Sequence, residues 1–346
     1  MSGLLAVGIT SDRVIELPSN IVDIVGCAVR RLSDSQFVVI GTEPTSPNAL
    51  YLIDIGTPKK TVLRSSTSIP LDPTIFSQPG PISFPRTRGK HLEGLSHAMF
   101  TPPHNPSFHA PPDSKPPLIV QIHGGPTSNG PPGLSLPAQY WTSRGYAYVH
   151  VNYAGSTGYG RAYCESLNYF WGIKDVDDAA SCVDYLVSQG LVDGTKVGIT
   201  GGSAGGYTVL QSLVTYPTLY AAGNSQYGIG NLNLLATGTH KFESHYLFKL
   251  MFPEDTPDEE RQKIYHDRSP CYHAEKIERP LLLLQGSIDR VVPLDQAIGM
   301  EKILKEGGKD VTLVVFEGEG HGFKKQENLK RATEEEEKLW ARTLLS

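Results

Sequence analysis

Cysteine is scarce in this chain: 346 residues carry only Cys27, Cys164, Cys182 and Cys271. None forms a C-x-x-C pair, which excludes the common zinc and redox arrangements, and four scattered thiols make no disulfide framework. Free, buried thiols are the expectation. No motif calls for a metal ion or a cofactor. Long apolar runs are also missing: Leu4-Leu5-Ala6-Val7 has neither a basic flank nor the length of a signal or membrane segment. No permitted N-x-[ST] acceptor exists, since Asn105 is followed by Pro106. These absences favour a cytoplasmic protein with no membrane partner. Charge of one sign does not dominate either. With 31 Lys and Arg against 36 Asp and Glu, a net charge of −5 and a pI near 6.1, no basic patch points to nucleic acid. A hydrophobic content of 39% suffices for one large core and an extra module.

What is present is chemically specific. Gly201-Gly202-Ser203-Ala204-Gly205 follows the apolar run Val197-Gly198-Ile199-Thr200 and precedes a helix-compatible stretch from Tyr207 to Thr215. Strand, sharp turn and helix make a nucleophile elbow, which lifts a serine hydroxyl above a sheet at a helix N-terminus. In the α/β-hydrolase fold the acid and then the histidine come later in the chain. Two short apolar runs supply them. Pro280 to Gln285 empties into Gly286-Ser287-Ile288-Asp289, and Val311 to Phe316 empties into Glu317-Gly318-Glu319-Gly320-His321. Asp289 and His321 therefore lie past strand C-termini, where open parallel sheets gather their sites. Asp289 would orient His321, which would take the proton of Ser203. Glu317, Glu319 and Asp295 are rival acids. Upstream, Pro117 to Ile122 reads as a strand ending in His123-Gly124-Gly125-Pro126, so the N–H groups of Gly125 and Ala204 are the expected oxyanion donors.

These runs, with Asn152 to Gly160 and Trp171 to Asp178, resemble the prolyl oligopeptidase family of serine peptidases, and its acylaminoacyl-peptidase and dipeptidyl-peptidase-like branch in particular. The resemblance spans about Pro116 to Leu345. One departure is Ala154, where many relatives carry arginine. The resemblance implies an α/β-hydrolase domain, preceded in the family by a β-propeller, and cleavage of short peptides. A carboxylesterase or acyl-transferring hydrolase on small acyl substrates is the enzymatic alternative, and a non-catalytic fragment binding partners through β edges is the alternative of another class.

Residues 1–80 carry short alternating runs and hairpin turns, which is antiparallel β character. Propeller blades take roughly 40–50 residues each, so this stretch is expected to form a partial propeller or a β cap on the catalytic domain, 81–346. Its strand edges favour self-association as a homo-oligomer. Residues 81–117 include a proline-rich linker, in which His91 to Thr101 can form an edge strand. Asp175 to Gln189 reads as an amphipathic helix with acidic residues suited to its N-terminus. Glu334 to Glu337 reads as a solvated helix face. The substrate pocket is expected from the segment after Ser225, with Tyr227, Phe242 and Tyr246 as candidates.

Overall fold

A computed structural model describes residues 5–7, 14–16, 20–57, 59–70, 72–238 and 244–346. Two compact units divide the chain: Met1–Pro81, Met99–Pro112 and Pro131–Tyr148 form the first, and Ile82–Ala98, Asp113–Gly130 and Val149–Ser346 the second. The first unit thus draws in two segments from beyond residue 81.

The first unit opens with the short antiparallel pair β1 (Leu5–Val7) and β2 (Val14–Glu16). A four-stranded antiparallel meander follows: β3 (Asp23–Arg31), β4 (Gln36–Thr42), β5 (Ala49–Asp54) and β6 (Lys59–Ser65). Alternation drives it. Every second residue of β5 is buried, so Ala49, Tyr51 and Ile53 join Ile21 and Val39 in a small core. Helix α1 (Leu136–Thr142) belongs to the same unit, and its Gln139 amide exchanges two 2.8 Å hydrogen bonds with the Ser77 backbone.

An eight-stranded sheet is built from β7 (Gly80–Pro85), β8 (Leu95–Thr101), β9 (Leu118–Ile122), β10 (Ala147–Asn152), β11 (Val197–Gly202), β12 (Ala222–Gln226), β13 (Leu281–Gly286) and β14 (Val311–Phe316), in the order β14-β13-β12-β11-β9-β10-β8-β7. The five from β14 to β9 pair in parallel. The inner strands of this group are covered on both faces, and β13 accordingly reads as the unbroken apolar run Leu281-Leu282-Leu283-Leu284, all buried. The edge position goes to β7. The expected edge strand around His91 to Thr101 is realised as β8, one place further in. The proline-rich approach is therefore partly sheet: Pro81 and Pro85 fall in β7, the outermost strand of this sheet among the described residues, where proline is tolerated.

The connecting helices are α2 (Arg161–Glu165), α3 (Lys174–Ser188), α4 (Ala204–Thr215), α5 (Leu232–Gly238), α6 (Ser244–Met251), α7 (Asp258–Asp267), α8 (Leu294–Glu306) and α9 (Gln326–Leu344). The acidic first turn of α3 is sunk in the core. Asp175 accepts from the Thr208 hydroxyl at 2.5 Å and the Gly172 N–H at 2.7 Å, and burial pushes its carboxyl up to about 6. Asp177 accepts from the Tyr216 hydroxyl at 2.6 Å. Asp178 pairs with the Arg86 guanidinium at 2.7 Å and accepts the Ala154 N–H at 2.7 Å. A cation thus stands beside Ala154, supplied by a distant part of the chain. In α9 the expectation of a solvated acidic face fails at Glu336. Residues 332, 336, 339 and 340 fall on one face at helical spacing, and that face packs on the sheet, so Glu336 is buried with Leu339 and Trp340. Its surroundings raise the Glu336 carboxyl above the ordinary range through burial, while Asn224, Thr200 and Trp340 moderate the effect.

Candidate active site

Ser203 sits between the end of β11 and the start of α4 with φ 57° and ψ −123°. Such a backbone costs a non-glycine residue roughly 1–3 kcal/mol, and here the surrounding contacts enforce it. A Cβ on Gly201 would lie 2.7 Å from the Gly205 backbone, and one on Gly205 would lie 2.3 Å from the Ile122 carbonyl oxygen. Only glycine lets strand, turn and helix approach so closely. The Ser203 N–H donates to the Gln226 carbonyl at 2.9 Å, tying the turn to the neighbouring strand.

Two further strand ends bring the partners in. His321 Nε2 lies 2.9 Å from Ser203 Oγ, and His321 Nδ1 lies 2.8 Å from Asp289 Oδ2. An ionised carboxylate can only accept, so Nδ1 carries the proton and a neutral ring turns the Nε2 lone pair toward the serine. Asp289 is itself held in place: Oδ1 accepts from the N–H of Val291 at 2.8 Å and of Val292 at 3.0 Å, and Oδ2 from Gln285 Nε2 at 3.3 Å. Burial pushes this carboxyl up, but the bond from His321 and the N–H donors together outweigh it and hold it below the usual carboxylate range.

Among the rival acids, Glu319 turns away from His321. Its carboxylate accepts the N–H of Lys324 at 3.1 Å and of Lys325 at 2.8 Å, plus Asn328 Nδ2 at 2.9 Å, and so fastens the His321 loop to the start of α9. The Ile288 N–H donates to the Glu319 carbonyl at 3.0 Å, which links the acid loop to the histidine loop.

The strand β9 ends against the elbow. A Cβ on Gly124 would stand 3.0 Å from the Gly202 carbonyl and 3.4 Å from Ser203 Cβ, so the His123–Pro126 loop abuts the serine. Gly125 has φ +122°, a conformation that L side chains rarely adopt. A cavity of about 240 Å³ opens beside Ser203 and is lined by Gly125, Pro126, Trp171, Ala204, Ile229, Leu235, Tyr246, Leu247, Leu250, Val291, Val292 and His321. Among the described residues its walls are mostly apolar and include no Lys, Arg, Asp or Glu. The Tyr246 hydroxyl is turned to the loop, receiving the Thr127 N–H at 3.1 Å and lying 2.5 Å from Thr127 Oγ1.

The three pocket candidates fare differently. Tyr246 lines the cavity. Tyr227 instead packs edge-on against His321, with ring centroids 4.9 Å apart, and against Phe323. Phe242 lies outside the described residues. Trp171, Ile229, Leu250, Val291 and Val292 went unnamed because each is one apolar residue among many, arriving from a separate loop or helix; the turn after Asp289 was the one clue to the last two.

The family model described as prolyl oligopeptidase family matches residues 132–346. Dipeptidyl aminopeptidase BIII of Pseudoxanthomonas mexicana is 34% identical over 219 residues, 63% of this chain and 32% of that protein. Acylamino-acid-releasing enzyme 1 of Oryza sativa subsp. japonica is 30% identical over 218 residues, 61% of this chain and 28% of that one. The chain therefore spans about a third of the length of these curated relatives. Among solved structures, a puromycin-hydrolyzing peptidase of Mycobacterium tuberculosis superposes with a TM-score of 0.91 at 35% identity, covering 99% of this chain and 50% of that one. The elbow, the parallel sheet and the match over more than half of the chain lead to one conclusion: this chain belongs to the prolyl oligopeptidase family, whose members are serine-type peptidases.

Proposed function

We propose that this protein is a serine peptidase that cleaves peptide or aminoacyl amide bonds of short peptides through an acyl-enzyme. The observation that carries the reading is the continuous Ser203–His321–Asp289 chain of hydrogen bonds at 2.9 and 2.8 Å. Ser203 Oγ attacks the scissile carbonyl while His321 Nε2 takes its proton, and Asp289 steadies the imidazolium that forms. The N–H groups of Gly125 and Ala204 receive the developing oxyanion. His321 then protonates the leaving amine, and water repeats the sequence to free the acyl group. No step requires a metal or cofactor. The mostly apolar cavity beside Ser203 favours substrates with an uncharged, apolar side chain next to the scissile bond, since none of the described residues lining it carries a charge that could pair with a buried one. On this reading residues 81–346 form the catalytic domain and residues 1–80 a β cap.

Esterase action remains the second reading, because the same residues would serve an ester. A panel containing a p-nitrophenyl ester, an acetyl-aminoacyl nitroanilide, a free-amine dipeptidyl nitroanilide and puromycin separates the two. Amide turnover abolished by Ser203→Ala, together with loss of fluorophosphonate labelling, supports the peptidase; ester turnover alone would overturn it. Labelling that persists in the alanine variant would remove Ser203 from the chemistry.

A further inference from the structure

His123 directly follows β9 and opens the loop that carries Gly125, and its side chain is free of the Ser203–His321–Asp289 chain. The ring is buried against Tyr153, with centroids 4.3 Å apart and planes 14° from parallel. Both nitrogens are engaged. Nδ1 is 2.8 Å from the Gly124 carbonyl oxygen, and Nε2 is 2.8 Å from Oγ of the fully buried Ser156. A carbonyl oxygen can only accept, so Nδ1 carries the hydrogen. In the neutral ring Nε2 must then accept from the Ser156 hydroxyl. Burial pushes the ring down to about 4, which keeps it neutral through the working range.

The consequence follows from peptide planarity. The Gly124 C=O and the Gly125 N–H belong to one peptide unit, and in a planar trans unit they point in opposite directions. Fixing the carbonyl on His123 Nδ1–H therefore fixes the aim of the Gly125 N–H. We propose that His123 is a positioning residue for the oxyanion donor, holding the Gly124–Gly125 peptide through Nδ1–H, with the Ser156 hydroxyl donating to Nε2 and steadying the ring in that orientation. The inference rests on the reading of Gly125 as an oxyanion donor. The glycines make such a hold necessary: Gly124 and Gly125 have no side chains to anchor their peptide, and glycine rotates more freely than any other residue. The Tyr153 hydroxyl, 3.0 Å from the His123 carbonyl and 3.2 Å from that of Pro126, braces the loop on either side of this peptide.

Two variants separate positioning from packing. His123→Phe keeps a flat ring on Tyr153 but loses both nitrogens. His123→Asn places an amide N–H where Nδ1–H stood. With a peptide nitroanilide as substrate, H123F is expected to lower kcat by about 10- to 100-fold, below the full cost of deleting a donor, with KM within about twofold. Inhibition by a peptide aldehyde, whose adduct carries the oxyanion, should weaken in proportion. H123N should recover most of the lost kcat. If H123F does not fold, as judged by its melting curve, Ser156→Ala carries the test: it removes the hydrogen bond that steadies the ring at Nε2 and should lower kcat several-fold while KM holds. Wild-type kcat in H123F, or an H123N no better than H123F, would overturn the inference, as would a loss that falls on KM and Tm instead of kcat. Turnover that survives Ser203→Ala would instead overturn the underlying catalytic reading.

Discussion

Asp289→Asn tests the hydrogen-bond chain at its most sensitive point. The substitution preserves shape, so the outcome depends on which way the new amide turns. With its oxygen in the place of Oδ1, asparagine keeps the Val291 and Val292 N–H bonds at 2.8 and 3.0 Å. The opposite orientation would set its NH2 against those two donors and forfeit both, at about 1 kcal/mol each, with a further penalty for burying them unpaired. The amide nitrogen therefore faces His321. There it meets Nδ1, which must give up its hydrogen and accept, so the hydrogen moves to Nε2. The ring then presents an N–H to Ser203 Oγ across 2.9 Å and has no lone pair to take the hydroxyl proton. Loss of the productive tautomer is worth about 10⁴ in kcat, or about 5.5 kcal/mol of transition-state free energy. The rate of fluorophosphonate labelling, followed alongside peptide turnover and a thermal melt, reads this directly. Labelling should slow by about that factor while the melt stays close to that of the parent. A rate within tenfold of the parent would refute the reasoning and point to another acid or to a serine that needs none.

Two further outcomes follow from buried groups and from the pocket. Glu336 has a carboxyl raised by burial, so the folded state holds its proton more tightly than the unfolded state does. Stability from that proton is complete below the unfolded-state value and is lost as pH rises through the folded-state one; Glu336→Gln should therefore raise Tm more at about pH 8 than at about pH 5, and an equal gain at both would contradict this. Leu235→Trp should fill much of the 240 Å³ cavity, raising KM for large apolar side chains and sparing alanine-sized ones, which matched nitroanilides would reveal; unchanged selectivity would place the side-chain pocket elsewhere.

The parts legible in the sequence were those whose physics is local. Ser203 was readable because a strained elbow demands glycine at 201 and 205, and because the strand before it and the helix after it are encoded in adjacent residues. Asp289 and His321 were readable because β13, buried throughout, and β14, the outer strand of the sheet, both appear as short apolar runs, each followed by a turn. Their approach to Ser203 then follows from parallel pairing, which sends the C-termini of β11, β13 and β14 to one edge of the sheet. The four-stranded meander was partly readable from alternation, but β6, with most of its residues exposed, carries little pattern and went unread.

Other features have no local signature. Glu336 stands in a run of four glutamates, and only the packing of α9 on the sheet decides that one of them is buried. Tyr246 and Trp171 meet in one cavity wall from separate parts of the chain. His123 reads only as the first residue of the loop after a strand until Ser156, 33 positions later, is brought to its Nε2. Amino-acid order determined the elbow serine, the histidine and aspartate that reach it, and the class of fold, because strand period, turn chemistry and glycine geometry act over a few residues. Tertiary structure decided the shape of the pocket, the tautomer of His123 and which carboxylates lose their water, because each of these depends on loops that converge only after the sheet has assembled.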